Sequence, residues 1–156
     1  EGYCANVDIK SNLRYFRTGD EPWQIAFYDL DWAFQTRSNC FFNLIGPEQT
    51  AQIAPTIRWL FGIDDFKERL LTRYAELTET TLSDEHVTEK IDEFRALLAP
   101  EIARERVRWG GSEEGWNEQV DALRANIADD YAAHTVRNLC SILGVGEEER
   151  MEYFGF

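Results

Sequence analysis

The sequence is poor in the features that cross-link a chain or anchor it in a membrane. Its three cysteines, Cys4, Cys40 and Cys140, are an odd number at wide spacing, and no C-x-x-C pair is present. This pattern predicts neither a zinc site nor a complete disulfide framework, and we expect the cysteines to serve as small hydrophobes. No run of eighteen apolar residues occurs, so we expect no membrane-spanning segment.

Positive charge is also scarce. The 156 residues contain 16 Lys and Arg against 29 Asp and Glu, a formal net charge of -13 at pH 7. Such a charge repels nucleic acid and favours cationic partners or divalent metal, so we expect no nucleic-acid partner. The hydrophobic fraction of 44% is typical of a globular protein, and the length predicts one domain over residues 1–156. We expect the five tryptophans in the core or in interlobe packing.

Two short stretches with alternating aromatic residues predict a β-hairpin over about residues 13–28. "LRYF" and "WQIAFY" have the residue types of strands, and "TGDEP" between them supplies the Gly, Asp and Pro of a turn. From about residue 53 the apolar period becomes helical. The sequence thus predicts an α+β, predominantly α fold, with a catalytic loop and hairpin in residues 1–34 and a helical bundle in residues 50–156.

Helix signals divide the second part of the chain. One helix is predicted to begin near Asp64, and Ser83 and Ser112 precede acidic residues as N-caps do. Pro100 predicts the start of another helix, because proline is favoured in a first turn. The last predicted helix ends at Gly144.

Four polar residues flank the hairpin in an order that suits phosphate chemistry. Asp8, Lys10 and Asn12 precede it, and Asp29 follows its second strand. Folding of the hairpin brings the oxygen-bearing side chains to one end, where they suit Mg²⁺, which needs few protein oxygens when it also binds phosphates. An Asp free of the metal can accept a proton from an attacking hydroxyl, and Lys10 can neutralise a transferring phosphoryl group.

This order matches the protein-kinase catalytic loop, in which Asp-x-Lys and a later Asn precede two strands and a metal-binding Asp. Here "DIKSN", a hairpin and "DLD" follow in that order. Two departures are visible: Asn6-Val7 replaces the His-Arg before the catalytic Asp, and the Asp-to-Asn spacing is one residue shorter. The same three residues next to a hairpin are also ordinary turn and cap residues.

Over nearly its whole length the chain resembles the CotH kinase family, the bacterial spore-coat protein H type of atypical protein kinase. The resemblance rests on Asn6-x-Asp8 with Asn12, on the signature "YDLDWAF", and on helical stretches such as "FKERLLTRYAEL". It implies a kinase-like C-lobe in which Asp8 is the catalytic-loop Asp, while Asn12 and Asp29 bind the metal and nucleotide. Asp31 is a further metal-site carboxylate by this resemblance, whereas Lys10 as a catalytic residue rests more on the general kinase order.

The resemblance also implies the cofactors and partners. They are ATP with Mg²⁺ or Mn²⁺, and a protein substrate, a Ser-rich cationic coat or surface protein whose Ser or Thr accepts the γ-phosphoryl group. No Gly-rich phosphate loop or ATP-anchoring Lys can be placed in the sequence. We therefore expect a C-lobe fragment that is inactive without the N-lobe of the same chain. The resemblance suggests a bacterial spore coat or a secreted or cell-surface location, although the sequence itself leaves the compartment open.

Two other functions fit the same residues. A small-molecule phosphotransferase of the aminoglycoside or choline kinase type also has Asp, Asn and a later Asp. A non-catalytic, kinase-derived binding module of a coat or surface assembly would keep these residues as caps. Elsewhere, we expect His86 and His134 to be surface or cap residues, and Arg104, Arg106 and Arg108 to form helix-surface ion pairs, with a phosphate-binding patch as the alternative.

Overall fold

The structure is a computed structural model that describes residues 2–8, 14–26, 28–45 and 54–156. Within these ranges two strands are followed by helices, and the predicted α+β, predominantly α class is confirmed. The elements are β1 (Arg14–Phe16), β2 (Gln24–Ala26), α1 (Cys40–Ile45), α2 (Ala54–Phe61), α3 (Asp64–Thr78), α4 (Asp84–Trp109), α5 (Glu113–Ala128), α6 (Tyr131–Leu143) and α7 (Glu147–Phe154).

The predicted hairpin is present and has short strands. β1 and β2 pair antiparallel with Tyr15 opposite Ile25, and the connecting turn passes through Gly19 at a φ of 58°. Glycine suits this left-handed conformation because it has no Cβ. Nearly all side chains of both strands are exposed, so the hairpin presents its residues to solvent on both faces.

The chain divides into two compact units, which we describe separately. Unit 1 comprises Glu1–Thr72 and His134–Phe156, and unit 2 comprises Arg73–Ala133. The expectation of a single domain over 1–156 stays a prediction. Unit 1 buries Tyr3, Ala5, Cys40, Ala54, Leu71, Val136, Leu139, Cys140 and Phe154. Unit 2 buries Tyr74, Ile102, Ile127, Tyr131 and Ala133.

Unit 2 is built around a helical hairpin with capped helices. Ser83 Oγ accepts a hydrogen bond from the His86 N–H at 3.2 Å at the start of α4, and Ser112 Oγ accepts one from the Gly115 N–H at 3.0 Å at the start of α5. Each bond satisfies a backbone donor that has no partner within the helix. Both predicted caps are confirmed, and they fix where the two long helices begin.

Polar bonds hold α4 and α5 together in antiparallel orientation. Arg95 donates from Nη2 to Asn117 Oδ1 at 2.6 Å and from Nη1 to Asp121 Oδ1 at 2.6 Å. One turn further along, Arg124 Nε lies 3.0 Å from Asp92 Oδ1. The bonds therefore pair side chains across the two helices rather than along one of them.

The predicted helix start at Pro100 is wrong, because α4 runs without a break from Asp84 to Trp109. Proline lacks an N–H and crowds the carbonyl four residues earlier, which here belongs to Ala96. Both residues are exposed, so water can hydrogen-bond that carbonyl. The Arg95 bonds hold α4 against α5 on one side of Pro100, and Ile102 is buried on the other side.

The expected core packing of the tryptophans is also wrong for most of them. Trp23, Trp59 and Trp109 are 65%, 66% and 71% exposed, Trp32 is half exposed, and Trp116 is partly covered. Trp23 directly precedes β2 in a two-stranded sheet whose side chains are nearly all exposed. The packing of the tryptophans against another lobe stays a prediction.

Most other surface and core expectations are confirmed. Cys40 and Cys140 are buried, Cys4 is partly buried, and none of the three forms a disulfide bond within the described residues. The expected surface ion pairs are present for Arg104 with Glu101 and for Arg106 with Glu105. Arg108 differs from the expectation, because its guanidinium lies over the Trp109 ring. No helix in the described ranges is long and apolar enough to cross a membrane.

Candidate functional site

Two loops carry the predicted acidic residues, and a backbone hydrogen bond joins them. We call residues 2–8 and 28–34 the acidic loop pair. The Phe34 N–H donates to the Cys4 carbonyl at 2.6 Å, and the Tyr3 ring meets the Phe34 ring edge-on with centroids 6.2 Å apart. These contacts place Asp8 of the first loop within electrostatic reach of Asp29 in the second.

The acidic loop pair concentrates unusual backbone conformations. Ala5, Asp29 and Phe34 have φ values of 47°, 54° and 61°. Non-glycine residues seldom adopt this left-handed region, and it costs free energy that surrounding contacts must offset. Asp29 lies shortly after β2, so its conformation turns the chain as it leaves the hairpin.

The carboxylates of this loop pair repel one another. The pKa of Asp29 is raised above its ordinary value, first by the negative charge of Asp31, then by partial desolvation, by a hydrogen bond with Asp31 and by the charge of Asp8. A neighbouring like charge disfavours the ionised form of a carboxyl group. A bound cation or a proton would therefore relieve the repulsion between Asp29 and Asp31.

This donor set fits Mg²⁺ or Mn²⁺ bound together with phosphates. Among the residues that the structure describes, no three His, Cys, Asp or Glu side chains are grouped closely enough to hold an ion by themselves. Mg²⁺ is commonly bound by one or two carboxylates, with waters and substrate phosphates completing its octahedron. The exposed Asp29 and Asp31 meet that requirement. Lys10 and Asn12 lie outside the described residues, so their predicted roles stay predictions.

Asn6 is a residue to which the sequence reasoning gave no role of its own. Its side chain is completely buried, and its Oδ1 accepts a hydrogen bond from the Asp8 N–H at 3.2 Å. An Asn that bonds the backbone two residues later forms an Asx turn. The spacing of Asn6 and Asp8 is thus the signal in the sequence that could have identified this contact.

The hairpin beside the loop pair is rich in exposed aromatic side chains. The Arg14 guanidinium lies 5.1 Å from the centroid of the Tyr28 ring, and that of Arg17 lies 5.5 Å from the Trp23 ring. Such cation–π contacts stabilise exposed sites by about 0.5–1 kcal/mol each. Each contact links an arginine of β1, or the one that directly follows it, to an aromatic residue that flanks β2.

The two histidines lie elsewhere in the fold. His86 is in the first turn of α4, where its N–H bonds the Ser83 cap. His134 is partly buried in α6, and its Nε2 lies 2.6 Å from the Arg37 carbonyl oxygen. This contact requires Nε2–H to be the donor, because a carbonyl oxygen only accepts.

Comparison with known proteins gives one match. A family model described as CotH kinase protein matches residues 1–132. Searches of the curated proteins and of the solved structures each found no match. The matched span contains both acidic loops, the hairpin and the helices as far as the beginning of α6. The chain therefore belongs to the CotH kinase family, and this membership indicates a kinase-like fold and a kinase-related enzyme.

Proposed function

We propose that this protein is an ATP-dependent protein kinase that transfers the γ-phosphoryl group to a Ser or Thr hydroxyl. The observation that carries the proposal is the juxtaposition of Asp8 with Asp29 and Asp31, whose charges act together on the pKa of Asp29. Family membership supports the same reaction class. Kinase sites need one carboxylate near the attacking hydroxyl and others that hold metal on the phosphates.

Each carboxylate has a distinct role in this proposal. Asp8 orients the substrate hydroxyl and takes its proton as the oxygen attacks the γ-phosphorus. The new oxygen–phosphorus bond forms as the bond from that phosphorus to the β–γ bridging oxygen breaks, and ADP leaves. Asp29 and Asp31, with Asn12 in the same role, would hold Mg²⁺ or Mn²⁺, and the bound ion would supply positive charge to the nucleotide phosphates.

The charge of the chain supports a cationic protein as the substrate. The net charge is -13, and the exposed Asp29 and Asp31 add negative charge at the site. Opposite charge speeds the encounter of partners and suppresses binding of partners with like charge. A Ser-rich basic segment is therefore the substrate we propose. The role we propose for Lys10 is to neutralise the transferring phosphoryl group.

The test measures phosphate transfer from labelled ATP by the full-length protein with Mg²⁺ or Mn²⁺. The acceptors are a cationic Ser-rich protein and, separately, a panel of small amines. Asp8→Asn and Asp29→Asn are compared with Asp20→Asn, a matched change at an exposed position in the hairpin turn. We expect Asp8→Asn to lose about 10²–10⁴-fold in rate, as for removal of an acid–base group. Asp29→Asn should also lose rate, because a metal ligand is removed, and the control should retain its rate.

The outcomes separate the candidate functions. Labelling of protein that fails in Asp8→Asn and Asp29→Asn supports the kinase proposal. Labelling of a small amine instead would replace it with a small-molecule phosphotransferase. Absence of transfer to any acceptor by the wild-type protein would reject both and favour a kinase-derived binding module.

A further inference from the structure

A buried amide lies directly beside the proposed catalytic Asp8. The fully buried residues of the described chain are apolar with two exceptions, Asn6 and Thr135. A buried polar group without hydrogen bonds is strongly destabilising, so an Asn is retained at such a position only where its bonds compensate for lost hydration. The contacts of Asn6 therefore indicate what the side chain contributes.

Asn6 lies in the chain between Cys4, which is bonded to the second acidic loop, and Asp8. On one side, the Cys4 carbonyl accepts the 2.6 Å hydrogen bond from the Phe34 N–H, and Ala5 has the left-handed φ of 47°. On the other side, Asn6 Oδ1 accepts the bond from the Asp8 N–H. The amide thereby connects the backbone of Asp8 to the point where the two acidic loops are joined.

This connection affects the direction of the Asp8 carboxylate. Asp8 is only partly buried, so packing alone constrains it weakly. A bond to its backbone N–H restricts the backbone torsions on which its side-chain rotamers depend. Rigid supporting contacts of this kind hold a reacting group at the distance and angle that its reaction requires.

We propose that Asn6 is a positioning residue that holds Asp8 in its reactive orientation toward Asp29 and Asp31. The inference rests on the proposed function, since it assigns Asn6 a part in the same phosphotransfer site. In kinases the catalytic Asp follows His-Arg, and here the buried amide of Asn6 provides local support in their place.

Two substitutions and one control distinguish positioning from general support of the fold. Asn6→Ala removes the acceptor. Asn6→Ser retains a shorter acceptor, because Ser forms the same type of turn with the N–H two residues later. Thr135→Ala truncates the other fully buried polar residue, which lies in α6, far along the chain from Asp8.

The first measurement is amide hydrogen exchange of Asp8 by NMR in the full-length protein, and it requires no activity. We expect Asn6→Ala to speed exchange of the Asp8 amide about tenfold relative to wild type. Asn6→Ser should recover part of the protection, and Thr135→Ala should leave this amide unchanged after correction for global stability. Unchanged exchange in Asn6→Ala would overturn the proposal.

The second measurement separates kcat from KM in the same variants. We expect kcat of Asn6→Ala to fall by about 10–100-fold with an unchanged KM for ATP, and Asn6→Ser to recover part of the loss. Equal losses of kcat in Asn6→Ala and Thr135→Ala would overturn a specific positioning role. Full activity of Asp8→Asn would instead reject the proposed function, while the exchange result would still decide whether Asn6 holds the Asp8 backbone.

Discussion

Unit 1 and unit 2 hold their structures by different means. Unit 1 contains most of the fully buried apolar side chains of the described chain, among them Leu71, Val136 and Leu139. It also contains the left-handed backbone of Asp29 and the repulsion between Asp29 and Asp31. Unit 2 buries Tyr74, Ile102, Ile127 and Tyr131, and its long helices are also held by serine caps and by polar bonds between α4 and α5.

The difference shows where the fold tolerates local strain. Unfavourable backbone and like charges persist only where neighbouring contacts offset their cost, and they cluster at functional sites. In unit 1 the free energy gained by burial of the core can offset the cost of these conformations and like charges. Unit 2 has one such non-glycine backbone among its described residues, Asp130 with a φ of 56°, and its long helices are joined by oppositely charged pairs such as Arg124 and Asp92.

The largest effect is expected from truncation of the unit 1 core. Leu139→Ala should lower the free energy of unfolding by about 2–5 kcal/mol, because Leu139 is fully buried and its removal leaves a cavity. The matched control is Leu97→Ala on α4, where Leu97 is 69% exposed and the change should stay within about 0.5 kcal/mol. Denaturant unfolding measures both variants. Equal losses would mean that burial of Leu139 does not stabilise unit 1.

The next effect is a gain in unit 2. Pro100→Ala should stabilise α4 by about 1–3 kcal/mol, because it restores the N–H that bonds the Ala96 carbonyl and removes the crowding by the ring. Thermal unfolding followed by circular dichroism would show a higher Tm. Ala103→Gly at an exposed site of the same helix should lower stability by about 1 kcal/mol. A destabilised Pro100→Ala variant would mean that the ring makes contacts α4 requires.

Replacement of an Asp by Asn should change the free energy of unfolding in opposite directions in the two units. Asp92→Asn breaks the pair with Arg124 and should cost up to about 1 kcal/mol, since both partners are nearly half exposed. Asp31→Asn removes the charge that contributes most to the raised pKa of Asp29, and it should raise stability slightly. Urea unfolding at low salt measures both changes, and 0.5 M salt should shrink them. Stabilisation by Asp92→Asn would refute the contrast.

The smallest effect concerns pH and Cys140. Burial raises the pKa of the Cys140 thiol, an effect that Glu149 reinforces and that Arg150 and Lys67 oppose. The pKa of the Cys140 thiol is higher in the folded than in the unfolded state, so the folded protein holds this proton more tightly. The resulting contribution to the free energy of unfolding is complete below about pH 8.5 and is lost as the pH rises through the pKa of the folded state. Unfolding followed from pH 7 to pH 9.5 should show this fall.

Two variants separate the contribution of the Cys140 thiol to this pH dependence from that of Tyr153. Cys140→Ala should make the pH dependence shallower, whereas Tyr153→Phe is the control for a second group whose pKa is raised, chiefly by desolvation. A thiol reagent at pH 8 should modify the partly buried Cys4 before Cys140. An unaltered slope in Cys140→Ala would contradict the prediction.

Much of the fold was predictable because its signals are local. The hairpin follows from strand-forming residues around a Gly-containing turn, and the starts of α4 and α5 follow from Ser83 and Ser112. Pro100 misled the prediction because the local preference of proline for a first turn was overridden by contacts between α4 and α5. The exposure of Trp23 could not be inferred either, since it depends on which layers cover the sheet.

The candidate site was partly predictable for a similar reason. The sequence places Asp8 before a predicted hairpin and Asp29 after it, and this order predicts that the two residues approach each other. The buried state of Asn6 and the bond between the Phe34 N–H and the Cys4 carbonyl depend on contacts between distant segments. Composition and spacing contain no information on such contacts, so the support of the site became visible only in three dimensions.

The left-handed backbone at Asp29 has a consequence for mutational scanning. Alanine disfavours a φ of 54°, so Asp29→Ala would alter the loop as well as the charge, and its phenotype would mix two causes. Asn and Gly are the residues that adopt this conformation most readily. A survey that pairs Asp29→Asn with Asp29→Gly therefore isolates the carboxylate, and agreement between the two would show that the negative charge, and not the loop conformation, sets the phenotype at position 29.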